Sequence, residues 1–257
     1  MKKNTMMRLA SFLLIAVLIS TSAISGTYAK YVTTGSANDS ARVAKWGVNF
    51  DIEGGPLFSQ EYETDDTTNF TSMQVSVNSE NTDNVVAPGT TGNAVTFRIT
   101  GKPEVSYRVN YVFGADSETV FLKKNVGYLA NGQPDNNWTD IATTYEPVAY
   151  TYTLGGQSAK TANLTTMMAD INAYEQYFDV TDGKYYERTS ATGAWVETTN
   201  TNIVINWAWA FESGNDAYDT TLGNIAAGVL NVSSLTDGTD YNTNIALTLT
   251  ATATQID

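Results

Sequence analysis

Residues 202–212 read NIVINWAWAFE. In an extended chain Ile203, Ile205, Trp207, Trp209 and Phe211 point one way, and Val204, Asn206, Ala208 and Ala210 point the other. A period of two held over this length predicts a β-strand with one buried face. Burying each large apolar side chain is worth about 1.5–3 kcal/mol, so the aromatic face belongs to a core. A sugar-stacking platform on Trp207 and Trp209 is the competing reading. The apolar partners Ile203 and Ile205 on the same face argue for the core.

The same alternation recurs on both sides of this stretch. Trp46, Val48, Phe50 and Ile52 alternate with Gly47, Asn49 and Asp51, and Gly54-Gly55-Pro56 ends the run. The acidic residues 59–69 (SQEYETDDTTN) read as a loop, with Asp65 and Asp66 solvated, and Met73, Val75 and Val77 as a strand. Val95, Phe97 and Ile99 are followed, past Gly101-Lys102-Pro103, by Val105, Tyr107, Val109, Tyr111 and Phe113, which predicts an antiparallel hairpin. Residues 120–123 and 126–129 are weaker strands before a turn at Asn131-Gly132, and residues 148–154 (VAYTYTL) are a strong one. From Ser158 to Phe178 the apolar residues Leu164, Met167, Met168, Ile171, Tyr174 and Phe178 fall in steps of three and four, which predicts a helix. Residues 184–197 predict a surface hairpin inserted in the domain, and residues 216–224 a turn followed by a short helical or irregular piece to Gly228. A last strand spans 244–255, with Ile245, Leu247 and Leu249 inward. About eight to ten strands imply an all-β fold, a two-sheet antiparallel sandwich with one or two accessory helices, as a single domain over residues 40–257.

The other end of the chain differs. Lys2, Lys3 and Arg8 precede an apolar run from Leu9 to Ile19. A basic start, a short apolar centre and small residues after it describe a signal peptide, here an N-terminal signal helix. The run falls short of the roughly 20 apolar residues a transmembrane helix needs. Thr27-Tyr28-Ala29 offers small residues on either side of Tyr28, which places cleavage between Ala29 and Lys30. Residues 1–29 are then leader, and residues 30–39 a free N-terminal arm that begins Lys30, Tyr31, Val32, Thr33, Thr34. The arm as an added strand competes with a simple first strand or a loose terminus.

Composition narrows function. The net charge of −13 becomes −16 without the leader, with 11 basic residues against 27 acidic ones. Such a surface repels nucleic acid and anionic lipid. There is no cysteine, so neither disulfides nor a lipidated Cys anchor are expected, and the end TATQID carries no cell-wall sorting pattern. There is no histidine either, which removes Ser-His-Asp catalysis, Cys-His catalysis and the usual zinc sites. Glu212, Asp216 and Asp219 offer hard oxygens suited to calcium, though not at EF-hand spacing, and a capped turn is the competing reading. No cofactor other than calcium is suggested. Nothing positions two carboxylates for glycoside hydrolysis, and the chain reads as a non-enzyme.

The leader, the cut after TYA, the immediate entry into a strand and APGTTGNAVTFRIT (87–100) together resemble the TasA/camelysin group, secreted matrix-fibre proteins of Gram-positive bacteria. WAWAFESGNDAYDTTLGN (207–224) and LTLTATATQID (247–257) are similar to related clostridial secreted proteins. Residues 180–200 have no counterpart there. The resemblance implies a jelly-roll-like sandwich, a leader trimmed by a dedicated signal peptidase, and assembly into fibres. In that family the N-terminal arm of one subunit completes a sheet of its neighbour, and here the arm is Lys30 to Asn38. The metalloprotease activity attached to the camelysin name does not carry over, because this chain has no His and no metalloprotease motif. The expectation is a secreted fibre or matrix subunit that partners itself and signal peptidase, and by extension other matrix proteins or glycans. The alternative is a monomeric surface adhesin or glycan-binding sandwich.

Overall fold

The computed structural model describes residues 42–65, 74–81, 83–129, 133–211 and 214–256. Ala44–Asp257 is one compact unit. Its strands in chain order begin β1 (Val48–Glu53), β2 (Glu61–Asp65), β3 (Gln74–Asn78), β4 (Val95–Gly101) and β5 (Tyr107–Phe113). Then come β6 (Phe121–Tyr128), β7 (Pro134–Tyr145), β8 (Val148–Leu154), β9 (Lys160–Ala162), helix α1 (Leu164–Ala173) and β10 (Glu175–Asp179). The chain ends with β11 (Lys184–Arg188), β12 (Val196–Thr198), β13 (Ile203–Trp209), helix α2 (Asp216–Ala226), β14 (Tyr241–Asn242) and β15 (Leu249–Gln255).

The fold is an all-β sandwich. One sheet has the order β1-β4-β13-β8-β9 and the other β12-β11-β10-β5-β15, with every pair antiparallel. β13 lies at the centre of the first sheet, and Ile203, Trp207 and Trp209 are buried as its alternation demands. The Trp207 indole donates to the Leu57 carbonyl oxygen (2.6 Å) and packs against Phe58 and Tyr62. Both indoles are core, so neither is a sugar platform; Phe211 lies beyond the strand and is 46 % exposed. Tyr107, Val109, Tyr111 and Phe113 of β5 supply the facing layer, and Phe97 meets Tyr111 edge-on across the sandwich at 5.9 Å. A three-stranded sheet, β14-β6-β7, carries α2 against β6, and β2 pairs with β3.

Several expectations need correction. The two strands flanking Gly101-Lys102-Pro103 do not form a hairpin: β4 joins the first sheet and β5 the second. Alternation sets which face of a strand is buried, and it does not choose the partner. The acidic loop contains β2, anchored by buried Tyr62. The two weak strands expected within 120–129 are one strand, β6 (Phe121–Tyr128), and the longest described strand, β7, follows it unforeseen. The turn at Asn131-Gly132 and Asp66 lie outside the described residues. The predicted helix over 158–178 shrinks to α1, because the Asn163 side chain caps it by accepting from the Thr166 N–H (3.0 Å). Tyr174 and Phe178 also fit a period of two, and with Gln176 they place β10 in the second sheet. Residues 216–224 are helix rather than turn. The last strand starts at Leu249, five residues later than expected. The hairpin over 184–197 is present, and its strands β11 and β12 extend the second sheet beyond β10.

Candidate functional site

The two flanks of the sandwich are built differently. On one side α1 carries the chain from β9 of the first sheet to β10 of the second. Its buried Leu164, Met167 and Ile171 pack between β8 and β5. The turn after β8 is tied to the other sheet by Glu187 of β11, which is 2 % exposed. Glu187 accepts from the Gly156 N–H (2.9 Å), the Gln157 amide and the Tyr174 hydroxyl (2.9 Å). Tyr174 in turn accepts from Gln176 (2.7 Å), which accepts from Tyr111 (2.6 Å). Burial raises the pKa of Tyr111, and burial and the Glu187 charge raise that of Tyr174, so both hydroxyls remain donors. Gly155 has φ +53°, and a Cβ there would overlap the Glu187 carboxylate and the Tyr174 hydroxyl. Asn200 donates to the Gly155 carbonyl oxygen (2.6 Å) and completes the closure.

Among the described residues the opposite flank is open. Among the described residues β1 pairs only with β4, and β15 only with β5. Both therefore present a row of backbone groups without a neighbouring strand. A cavity of about 470 Å³ lies beside them. The first sheet lines it with Ile52, Phe97, Ile203 and Ile205, and the second with Phe113 and Leu249, joined by Leu247. Ile52 is 71 % exposed at this flank, although its place in the β1 alternation puts it on the core face. The flank thus combines free strand edges with an apolar floor, the two requirements for accepting an added strand.

Of the residues singled out from sequence, Ala29 and the arm residues Lys30, Tyr31, Val32, Thr33 and Thr34 lie outside the described residues, as does Glu212. Asp216 and Asp219 sit in the first turn of α2, where a negative charge meets the positive end of the helix. Asp219 accepts from the Tyr145 hydroxyl (2.6 Å) and the Trp209 indole (3.1 Å) through one oxygen. Burial raises its pKa, and the charge on Asp216 adds to the rise. Asp219 thereby fastens α2 to β7 and β13. Among the described residues no group of three or more acidic, His or Cys side chains is arranged for a metal. Nor is any helix among them long and apolar enough to cross a membrane.

Sequence reasoning missed the groove and the Glu187 network. The alternation of Tyr185 and Glu187 against Tyr186 and Arg188 carried the signal for the second, since it puts a carboxylate on the core face. Among the described residues the geometry defines a class: an all-β sandwich whose sheets are bridged by α1 and the Glu187 network at the β9 and β12 flank and by no such link at the β1 and β15 flank. No family model, curated protein or solved structure matches the chain.

Proposed function

We propose that this chain is a secreted structural subunit of an extracellular fibre or matrix, in which the arm of one copy lies along the open flank of the next. The observation that carries this reading is the apolar groove beside the unpaired edges of β1 and β15. The resemblance to the TasA/camelysin group supports it. At about 3.3 Å per residue the nine residues from Lys30 to Asn38 span about 30 Å, longer than the six of β1. Donor and acceptor are different surfaces, so the contact is head-to-tail and builds an open filament rather than a closed dimer. Removing the leader frees the arm, which makes cleavage after Ala29 the switch for assembly. No catalytic role is assigned.

Electron microscopy tests this directly. The chain beginning at Lys30 forms filaments, and the chain beginning at Ser40 does not. Ile52→Lys in the longer chain abolishes them while leaving the fold intact, because Ile52 is already largely exposed. Equal filament formation by the two chains, or by Ile52→Lys, rules the arm-and-groove joint out.

A further inference from the structure

The four sheet ends are unequal. β9 and β12 are three residues long and carry Lys160 and Glu197. β1 turns Asp51 and Glu53 outward and runs between Gly47 (φ +56°) and Gly54 (φ +109°). Shortness, charge and backbone irregularity all keep an edge from pairing. β15 (LTATATQ) has none of these guards: it is seven residues long, without charge, proline or glycine. Among the described residues no strand lies beyond it.

Register fixes what β15 offers. The Thr248 carbonyl oxygen accepts from the Gly114 N–H (2.8 Å), and the Ile256 N–H donates to the Ser106 carbonyl oxygen (3.0 Å). Both pairs continue the register of β15 on β5. Hydrogen-bonded pairs in an antiparallel ladder recur at every second residue. Thr250, Thr252 and Thr254 therefore spend their backbone groups on β5. Those of Leu249, Ala251, Ala253 and Gln255 point to the free side. The side chains of Leu249, Ala251 and Ala253 are half-buried against the core. Two of these are single methyl groups. β1 instead fills its side of the flank with Val48 and Phe50, and Phe50 packs on Phe97 at 5.4 Å. Room for a large incoming side chain thus lies over β15, next to Leu249 and Phe113 of the cavity wall.

We infer that β15, not β1, is the edge that receives the arm, with Tyr31 turned inward over the alanines and Val32 and Thr34 outward beside Thr250, Thr252 and Thr254. This assignment rests on the arm-and-groove reading and adds to it the strand and the face. Tyr31 is the larger of the arm's two apolar anchors and gains most from burial. On the outer face β-branched residues then meet threonines across the strands, a favourable pairing.

The chain has no cysteine, so single introduced cysteines report the joint without interference. The chain beginning at Lys30 with Thr34→Cys is assembled with chains carrying Thr250→Cys, Thr252→Cys or Thr254→Cys, all at exposed positions, and then oxidised. Mass spectrometry reads the mixed disulfide. Its yield at one or more β15 positions exceeds that with Asn49→Cys or Asp51→Cys of β1 at least about tenfold, because a disulfide needs Cα atoms about 4.4–6.8 Å apart. Ala251→Pro abolishes the filaments as well, since it removes an N–H from the free side and no bond to β5. Circular dichroism and the thermal midpoint confirm its fold, and the cross-links alone decide if it does not fold. Preferential linking to β1 overturns the assignment while leaving the arm-and-groove joint in place. Filaments that link at neither edge, or that a folded Ala251→Pro chain forms at the parent's length, overturn it too. If the unsubstituted chain beginning at Lys30 forms no filaments, the arm-and-groove reading itself fails, and this assignment with it.

Discussion

Glu187→Ala tests whether the sealed flank is held by its buried carboxylate. The substitution removes the acceptor of three donors at once. They are not equivalent. Tyr174 is fully buried, so its hydroxyl loses its acceptor with no water to replace it, at a cost of about 1–3 kcal/mol. Gly156 and Gln157 are exposed, so water can take over, and their loss is about 0.5–1.5 kcal/mol each. Truncating this buried side chain leaves a void that adds roughly 1 kcal/mol. Relief of the buried charge offsets part of this, and the expected net is about 3–5 kcal/mol. Urea unfolding followed by circular dichroism measures it, with the slope unchanged if the native state is intact. Gln157→Ala should cost about 0.5–1.5 kcal/mol, and the Glu187→Ala/Tyr174→Phe pair should show coupling of about 0.5–3 kcal/mol. A loss below about 1 kcal/mol for Glu187→Ala, or no coupling to Tyr174, would refute the assignment of the closure energy to this network.

Two aspartates should respond to acid with opposite signs. The Lys160 hydrogen bond, with one from Tyr152, lowers the pKa of Asp170 below 3.8, so its stabilisation is present above pH 3.8 and is lost as pH falls through the lowered value. Asp170→Asn therefore destabilises at neutral pH and converges with the parent in strong acid. Burial raises the pKa of Asp219 above 3.8, so its ionised form costs stability above that raised value, and the cost is relieved as pH falls through it. Asp219→Asn keeps an acceptor for Tyr145 and Trp209 and should match or exceed the parent at pH 7; urea midpoints between pH 2 and 7 decide both, and parallel curves would contradict the argument. Gly92→Ala places a Cβ against the Trp207 indole and the Leu57 carbonyl oxygen, whose hydrogen bond it breaks. The expected cost is about 2–4 kcal/mol with a shift in tryptophan fluorescence, and a change under about 0.5 kcal/mol would show that Trp207 moves aside freely.

What was legible in the sequence was the burial of strand faces. IVINWAW (203–209) and VAYTYTL alternate without a break, and both lie in the first sheet with the expected side inward, while Phe211, expected inward, lies beyond the strand. What was not legible was partnership. Ile99 and Val109 both read as core, yet nothing local tells that β4 pairs with β1 and β13 while β5 pairs with β10 and β15. Only the end of the stretch, Tyr174 to Phe178, satisfied both periods at once, and Gln176, bonded to Tyr111 and Tyr174, goes with its reading as strand. The groove was hidden for the same reason as the pairing. Ile52 looks like any inward residue of an alternating strand, yet it is 71 % exposed, and among the described residues no strand pairs with β1 on its far side.

The asymmetry of the flanks bears on how strong a fibre could be. An added strand gains about 0.5–1.5 kcal/mol net per hydrogen bond, while ordering each of its residues costs about 1–2 kcal/mol. Over nine residues these nearly cancel. The balance then falls to apolar burial, and Tyr31 and Val32 can add about 3–6 kcal/mol together only if both leave water. In an extended arm they point to opposite sides, so the groove receives one of them, and the joint keeps nearer the lower half of that range. A joint of that size corresponds to dissociation constants far weaker than micromolar. A durable filament built on the proposed joint would therefore require a second contact between copies. Weakening either contact alone should then reduce filament length steeply, because each raises the effective concentration at which the other forms.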